Sequence, residues 1–111
     1  MDFAHEQAGD AIIVRLAGKL DGSAARTTEA NLSQVLADSE PRVAIDMSQV
    51  DYLSSAGLRV LLLVAKKAQR AKGKLVLFDC CPNVMEVLSI SGFDKLVPIH
   101  TGSAAAIAAT R

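Results

Sequence analysis

The sequence is poor in the features that mark several large classes of protein. It contains two cysteines, no tryptophan and one tyrosine, and its twelve basic residues are balanced by twelve acidic ones. A formal net charge of zero gives no long-range field that would draw the chain to a nucleic acid or an anionic membrane. No apolar run approaches the roughly 18 residues needed to span a bilayer. We therefore expect no nucleic-acid partner, no membrane association and a cytoplasmic location.

The two cysteines, Cys80 and Cys81, are adjacent. Neighbouring cysteines do not form an ordinary framework disulfide, and two thiols are too few for a four-ligand zinc site. Free cysteine commonly packs as a small hydrophobic residue, which is the role we expect here. The glycine-rich motifs that hold phosphates in nucleotide-using enzymes are also absent. The sequence thus predicts no metal, no cofactor and no enzymatic activity.

Apolar runs of strand length alternate with segments of helical periodicity. The predicted strands are Ala11–Ala17, Arg42–Met47, Lys74–Asp79 and a short run Leu96–Ile99, with Phe3–Gln7 pairing with the first as a hairpin. The predicted helices are Ser23–Ala37 with Asp21 or Ser23 as N-cap, Ser55–Lys72, Pro82–Ser91, and an alanine-rich helix capped by Ser103. With 111 residues, one domain is expected. The order predicts an α/β fold: a mixed sheet of about four to five strands, largely parallel in its middle, with about four helices packed on it.

The second predicted helix is more apolar than one buried stripe requires. Helical spacing assigns the buried stripe to five residues: Leu58, Leu61, Leu62, Ala65 and Ala68. Val60, Leu63 and Val64 fall outside this stripe, next to Arg59. They form either part of a docking surface or a contact with a neighbouring helix, and the sequence alone leaves both open.

Two serines stand where the central strand leads into this helix. A helix start has unpaired N–H groups and the positive end of the helix dipole, so a serine there is either an N-cap or a hydroxyl beside an anion site. Ser54 and Ser55 occupy this point. Phosphorylation would add about −1.5 to −2 charges that the helix terminus tolerates. We favour Ser55 as the modified residue, with Ser54 as the second choice.

The run Asp51-Tyr52-Leu53-Ser54-Ser55-Ala56-Gly57-Leu58 resembles the phosphorylation motif of the STAS family, the anti-sigma factor antagonists. The turn Gly18-Lys19-Leu20-Asp21, the strand ending in Asp46-Met47-Ser48, and Gly92-Phe93-Asp94 occur in similar order in that family. The resemblance spans nearly all of the chain, which implies a STAS domain over residues 1–111. Many members carry an acid at the position of Ser54, and here the sequence departs from them.

The resemblance implies a partner-switching mechanism. The serine aligned with Ser55 is phosphorylated in bacterial members by an anti-sigma factor that is also a histidine-kinase-like ATPase, and a PP2C-type phosphatase restores it. The unphosphorylated form binds that kinase and frees the sigma factor. Asp21 and Asp46 are implied to lie near the acceptor serine. The full set of predicted partner-binding residues is Asp21, Asp46, Ser54, Ala56, Gly57, Arg59, Val60 and Leu63.

Two other functions compete with this interpretation. The chain could be a non-switching STAS module or scaffold attached to a transporter or another signalling complex, in which the serine is only a cap. It could also be a small hydrolase with Ser55 as nucleophile, although the sequence offers no evident histidine as its base.

Overall fold

A computed structural model describes residues 1–111 and shows a five-stranded mixed sheet. The strands lie side by side in chain order: β1 (Asp2–Ala8), β2 (Ala11–Leu20), β3 (Arg42–Leu53), β4 (Lys74–Phe78) and β5 (Ile99–His100). β1 pairs with β2 as an antiparallel hairpin, and the remaining pairs are parallel. The predicted hairpin and the predicted parallel middle of the sheet are both confirmed.

Five helices connect or follow the strands. They are α1 (Gly22–Val35), α2 (Ser55–Arg70), α3 (Pro82–Ile90), α4 (Phe93–Leu96) and α5 (Ser103–Ala109). The predicted α/β architecture is confirmed. The single turn α4 was not predicted, and Gly102 is the N-cap of α5 in place of Ser103. None of the five helices combines the length and apolar character needed to cross a membrane.

The sheet separates two hydrophobic clusters because successive side chains of a strand point to opposite faces. On β2, Val14 and Leu16 belong to the larger cluster, which lies under α1, α2 and α3, while Ile13 belongs to the smaller one under α5. The smaller cluster consists of Ile13, Ala44, Val76, Phe78 and Ala106. The sheet therefore holds α1 and α2 on one face, which is the face that positions the site described below.

β3 is twice as long as the predicted strand Arg42–Met47. Beyond Met47 it holds one more residue than β2 at two places, so the register shifts and the polar residues no longer alternate regularly with apolar ones. Ser48, Gln49, Asp51 and Tyr52 are all exposed there, while Val50 and Leu53 are buried. The bulges explain why the sequence pattern of residues 48–53 did not predict a strand.

The buried stripe of α2 also differs from the prediction. Val60 and Val64, which were placed outside the stripe, are core residues, together with Gly57, Leu61 and Ala68. Leu58, Leu62 and Ala65 are only partly buried. Because nearly every position from Leu58 to Ala65 is apolar, periodicity alone could not show which side faces the sheet and which faces α1. Leu63 is the one large apolar side chain of this helix that stays exposed, at 38%.

Candidate functional site

Ser54 is the N-cap of α2. Its backbone is extended, at φ −88° and ψ 174°, and its Oγ accepts a hydrogen bond from the Gly57 N–H at 3.1 Å. The same hydroxyl donates to the carbonyl of Leu20 at 3.3 Å, and the Ser54 N–H donates to that carbonyl at 3.0 Å. Ser54 therefore ties the start of α2 to the end of β2, and its hydroxyl is already engaged.

Ser55 is the first residue of α2 and has a different environment. Its side chain is exposed, and its hydroxyl takes part in no hydrogen bond of the protein. The N–H groups of Ser55 and Ala56 have no acceptor within the helix, and the first turn of α2 contains no acidic residue. A negative charge on Ser55 would thus meet the uncompensated positive end of the helix dipole.

The two serines should differ in their effect on stability. Ser54→Ala removes the cap and the bond from the hydroxyl to Leu20, so we expect the free energy of unfolding to fall by about 1 kcal/mol. Ser55→Ala should change the free energy of unfolding by less than about 0.5 kcal/mol. Urea unfolding followed by circular dichroism measures both. An equal loss in the two variants would contradict the assignment of the cap to Ser54 alone.

Asp21 lies at the same end of the sheet as Ser54, because Leu20 and Leu53 are register partners at the ends of β2 and β3. It is the N-cap of α1 and accepts hydrogen bonds from the Ser23 hydroxyl at 2.7 Å, the Ser23 N–H at 3.0 Å and the Ala24 N–H at 3.2 Å. The Ser23 hydroxyl, followed by the Ala24 N–H, lowers the pKa of Asp21 below its ordinary value. The aspartate therefore presents a carboxylate at the edge of the site.

An open groove of about 480 Å³ runs between α1 and α2 and begins at Ser55. Its walls are Gly22, Ala25, Arg26 and Glu29 from α1, and Ser55, Ala56, Arg59, Val60 and Leu63 from α2. The α2 wall contains the predicted partner-binding residues Ala56, Arg59, Val60 and Leu63 as well as the serine itself. The α1 wall was missed, because nothing in the sequence shows which side of α1 faces α2.

Two of the predicted partner-binding residues are buried in the core beside this groove. Val60 is only 4% exposed, and Gly57 is buried against the end of β2. A β-carbon on Gly57 would lie 2.2 Å from the Leu20 carbonyl oxygen and 2.9 Å from Leu53 Cδ1. Glycine is therefore required here so that the first turn of α2, with Ser54 and Ser55, can approach β2 closely.

The expectation that Asp46 lies beside the acceptor serine is wrong. β3 continues for seven residues beyond Asp46, which at about 3.3 Å per residue separates it from Leu53 by roughly 20 Å. Asp46 accepts the Ser48 N–H at 2.9 Å, at the first irregularity of β3, and its Oδ2 lies 3.9 Å from Arg15 Nε. It stabilises the bulged strand on the face of the sheet that carries α5.

The cysteines lie between β4 and α3, and both are free and half-buried. The Cys81 Sγ donates to the Val50 carbonyl at 3.4 Å. Burial raises the pKa of the Cys80 thiol to about 12, with smaller contributions from Cys81 and Asp79. Cys80 therefore stays protonated at neutral pH, in agreement with a packing role.

The raised pKa of Cys80 should make stability fall in alkaline solution. The unfolded chain loses this proton near the ordinary value of 9.0, and the folded chain only near 12. The contribution is therefore fully present below pH 9 and is lost as the pH rises towards 12. We expect urea unfolding of the wild type to weaken more steeply above pH 9 than that of Cys80→Ala. Parallel curves for the two proteins would refute this dependence.

Known proteins share both this sequence and this fold. Residues 2–106 match the family model of the STAS domain. BtrV of Bordetella bronchiseptica, named as a candidate anti-sigma factor antagonist, is 43% identical over 98 residues, covering 88% of this chain and 84% of the relative. The crystal structure of an anti-sigma factor antagonist from Mycobacterium paratuberculosis superposes with a TM-score of 0.88 at 26% identity, over 99% of this chain and 93% of the other.

The fold is also that of a protein solved in a phosphorylated state. The phosphorylated form of the Bacillus cell fate determinant SpoIIAA matches with a TM-score of 0.74 at 20% identity, over 99% of this chain and 100% of the other. That identity supports a common fold. The stronger evidence is the family model and the relative at 43% identity. On this evidence the chain belongs to the STAS domain family, and within it to the anti-sigma factor antagonists.

Proposed function

We propose that this protein is a phosphorylation-controlled antagonist of an anti-sigma factor that is itself a serine kinase of the histidine-kinase-like ATPase type. The unphosphorylated form binds the kinase and releases its sigma factor. Phosphorylation of Ser55 ends that binding, and a PP2C-type phosphatase restores it. The observation that carries the proposal is the free, exposed hydroxyl of Ser55 at the head of the α1–α2 groove, next to a serine whose own hydroxyl is engaged as a cap.

The relatives support this proposal. BtrV is named as a candidate anti-sigma factor antagonist, and SpoIIAA has been solved in a phosphorylated form. The arrangement at the start of α2 would let a kinase reach Ser55 without unfolding the cap, because Ser54 alone holds the helix start to Leu20. The proposed partner-switching pathway operates in the cytoplasm, where the transcription machinery is found.

The mechanism is a change of charge at a fixed surface. The groove offers a partner the apolar side chains of Leu63 and Ala25 beside the hydroxyl of Ser55. A phosphate adds about −1.5 to −2 charges at the position that the partner must cover. The part of this negative charge that the groove's own side chains do not neutralise must be desolvated when a partner covers it, which costs several kcal/mol, so the complex dissociates while the fold is retained.

Binding, and not catalysis by this chain, is the proposed activity. A serine nucleophile needs a general base within hydrogen-bond reach, commonly a histidine. None of the nine residues that line the groove is a histidine. The phosphoryl group is therefore supplied and removed by the partners, with Ser55 as the acceptor.

The proposal is tested by incubating the protein with ATP and an anti-sigma factor kinase of the histidine-kinase-like ATPase type from the same organism, followed by intact mass measurement. We expect one added phosphate on the wild type and none on Ser55→Ala. Ser54→Asp is the matched control, because aspartate can still accept the Gly57 N–H as an N-cap and the backbone N–H of this position still donates to Leu20, while the second hydroxyl is removed. It should still accept one phosphate. Wild type that remains unmodified would favour a non-switching STAS module in a transporter or other complex.

A further inference from the structure

The α1–α2 groove contains two arginines that no carboxylate of the chain engages. Arg26 and Arg59 line it together with Ser55. The ion pairs of the structure involve Arg15 and Arg42, at other places on the sheet. Glu29 is the only acidic residue of the groove, and it forms no ion pair either. Guanidinium groups without a partner are available for an anion that appears beside them.

The sequence spacing directs one of these arginines at Ser55. Arg59 follows Ser55 by four residues on α2, which brings their β-carbons to about 5–6 Å in a helix. The anion stands on the N-terminal side of the cation, which is the favourable order for such a pair. Arg26 belongs to the opposite wall, so the groove that Ser55 lines has one arginine on each of its two helices.

We propose that Arg59 and Arg26 bind the phosphate of Ser55 within the protein and hold it across the groove. The inference rests on the proposed function, since it requires Ser55 to be the phosphorylated residue. Two arginines and one glutamate give the groove a formal charge of +1, which a phosphate of about −1.5 to −2 reverses. Phosphorylation of Ser55 thus pairs both arginines, so that they no longer offer a positive charge to a partner. The phosphate also fills the space in which the partner would bind.

The test is a phosphorus NMR titration of the full chain with phosphoserine incorporated at position 55 during synthesis. We expect the second pKa of the wild-type phosphate to lie below the value of about 6 typical of phosphoserine. Arg59→Gln should raise it by roughly half a unit, and Arg26→Gln by less, since each removes a nearby positive charge. Arg70→Gln is the matched control, because Arg70 is an exposed arginine in the last turn of the same helix. It should leave the titration unchanged.

The helix terminus is present in all variants, so a difference between their phosphate pKa values reports the effect of the arginines alone. If Arg59→Gln and Arg26→Gln titrate like the wild type, the phosphate is not held by these side chains and the inference is overturned. Circular dichroism of each phosphorylated variant verifies that the fold is intact. Because the phosphate is installed without a kinase, this outcome is independent of the mass measurement that tests the proposed function.

Discussion

Replacing Gly57 by alanine should destabilise the protein by about 2 kcal/mol, through a clash of about 3 kcal/mol that the higher helix propensity of alanine offsets by about 1 kcal/mol. The added β-carbon would lie 2.2 Å from the carbonyl oxygen of Leu20 and 2.8 Å from its Cγ. The carbonyl is backbone and already accepts two hydrogen bonds from Ser54, so it cannot move aside without breaking them. Urea unfolding followed by circular dichroism measures the loss.

The matched control is Gly22→Ala. Gly22 is the first residue of α1, and a β-carbon there would meet nothing within 4 Å. Alanine should therefore leave stability unchanged or raise it by about 0.5 kcal/mol, because it restricts the unfolded chain. If both glycines tolerated alanine equally, the close approach of α2 to β2 would not be a constraint of the fold, and the position of Ser55 would have to be fixed in another way.

Phosphoserine at position 55 should weaken binding to the anti-sigma kinase by at least about a hundredfold, which corresponds to about 3 kcal/mol. The effect is large because the phosphate stands at the head of the groove, where a docked partner excludes water. Isothermal titration of the kinase with unmodified and phosphorylated protein, in the absence of ATP, measures the two dissociation constants.

Phosphoserine at position 39 provides the control for charge alone. Ser39 is exposed and precedes β3, whereas Ser55 follows it, so the two residues lie at opposite ends of the central strand. The same charge at Ser39 should change the affinity less than about threefold, since surface charges beyond a Debye length are screened. An equal loss from both sites would argue for general electrostatic repulsion, and unchanged binding after modification of Ser55 would exclude the switch.

Local signals in the sequence sufficed for most of the fold. β4 is a short apolar run between turn residues, β2 begins at Ala11 as predicted, and α2 begins at Ser55 as predicted. Ser55 was favoured over Ser54 because it stands nearer the first turn, and this choice stays a prediction; in the structure the hydroxyl of Ser54 is occupied by Gly57 and Leu20.

The remaining features depend on contacts between distant segments. The bulges of β3 arise from its pairing with β2, and the strand continues through them for seven residues beyond Asp46, which separates Asp46 from the serine that it was expected to accompany. Val60 lines the α1–α2 groove and is nevertheless only 4% exposed as a member of the larger core cluster, which no periodicity of α2 alone reveals. Arg26 was missed for the same reason, since its position in the groove depends on how two helices pack.

The order of the strands in the sheet has a consequence for how the chain assembles. Every strand is hydrogen-bonded to the strand that precedes it in the sequence, beginning with a hairpin whose two strands are joined by two residues. Each later pairing closes a crossover of about 20 residues that contains at least one helix, and no strand pairs with a segment further away in the sequence. During synthesis, the β1–β2 hairpin can serve as the template on which β3 and then β4 are added in the order in which they leave the ribosome. Ser55, which follows β3, therefore lies in a part of the chain that is synthesised before β4 and β5.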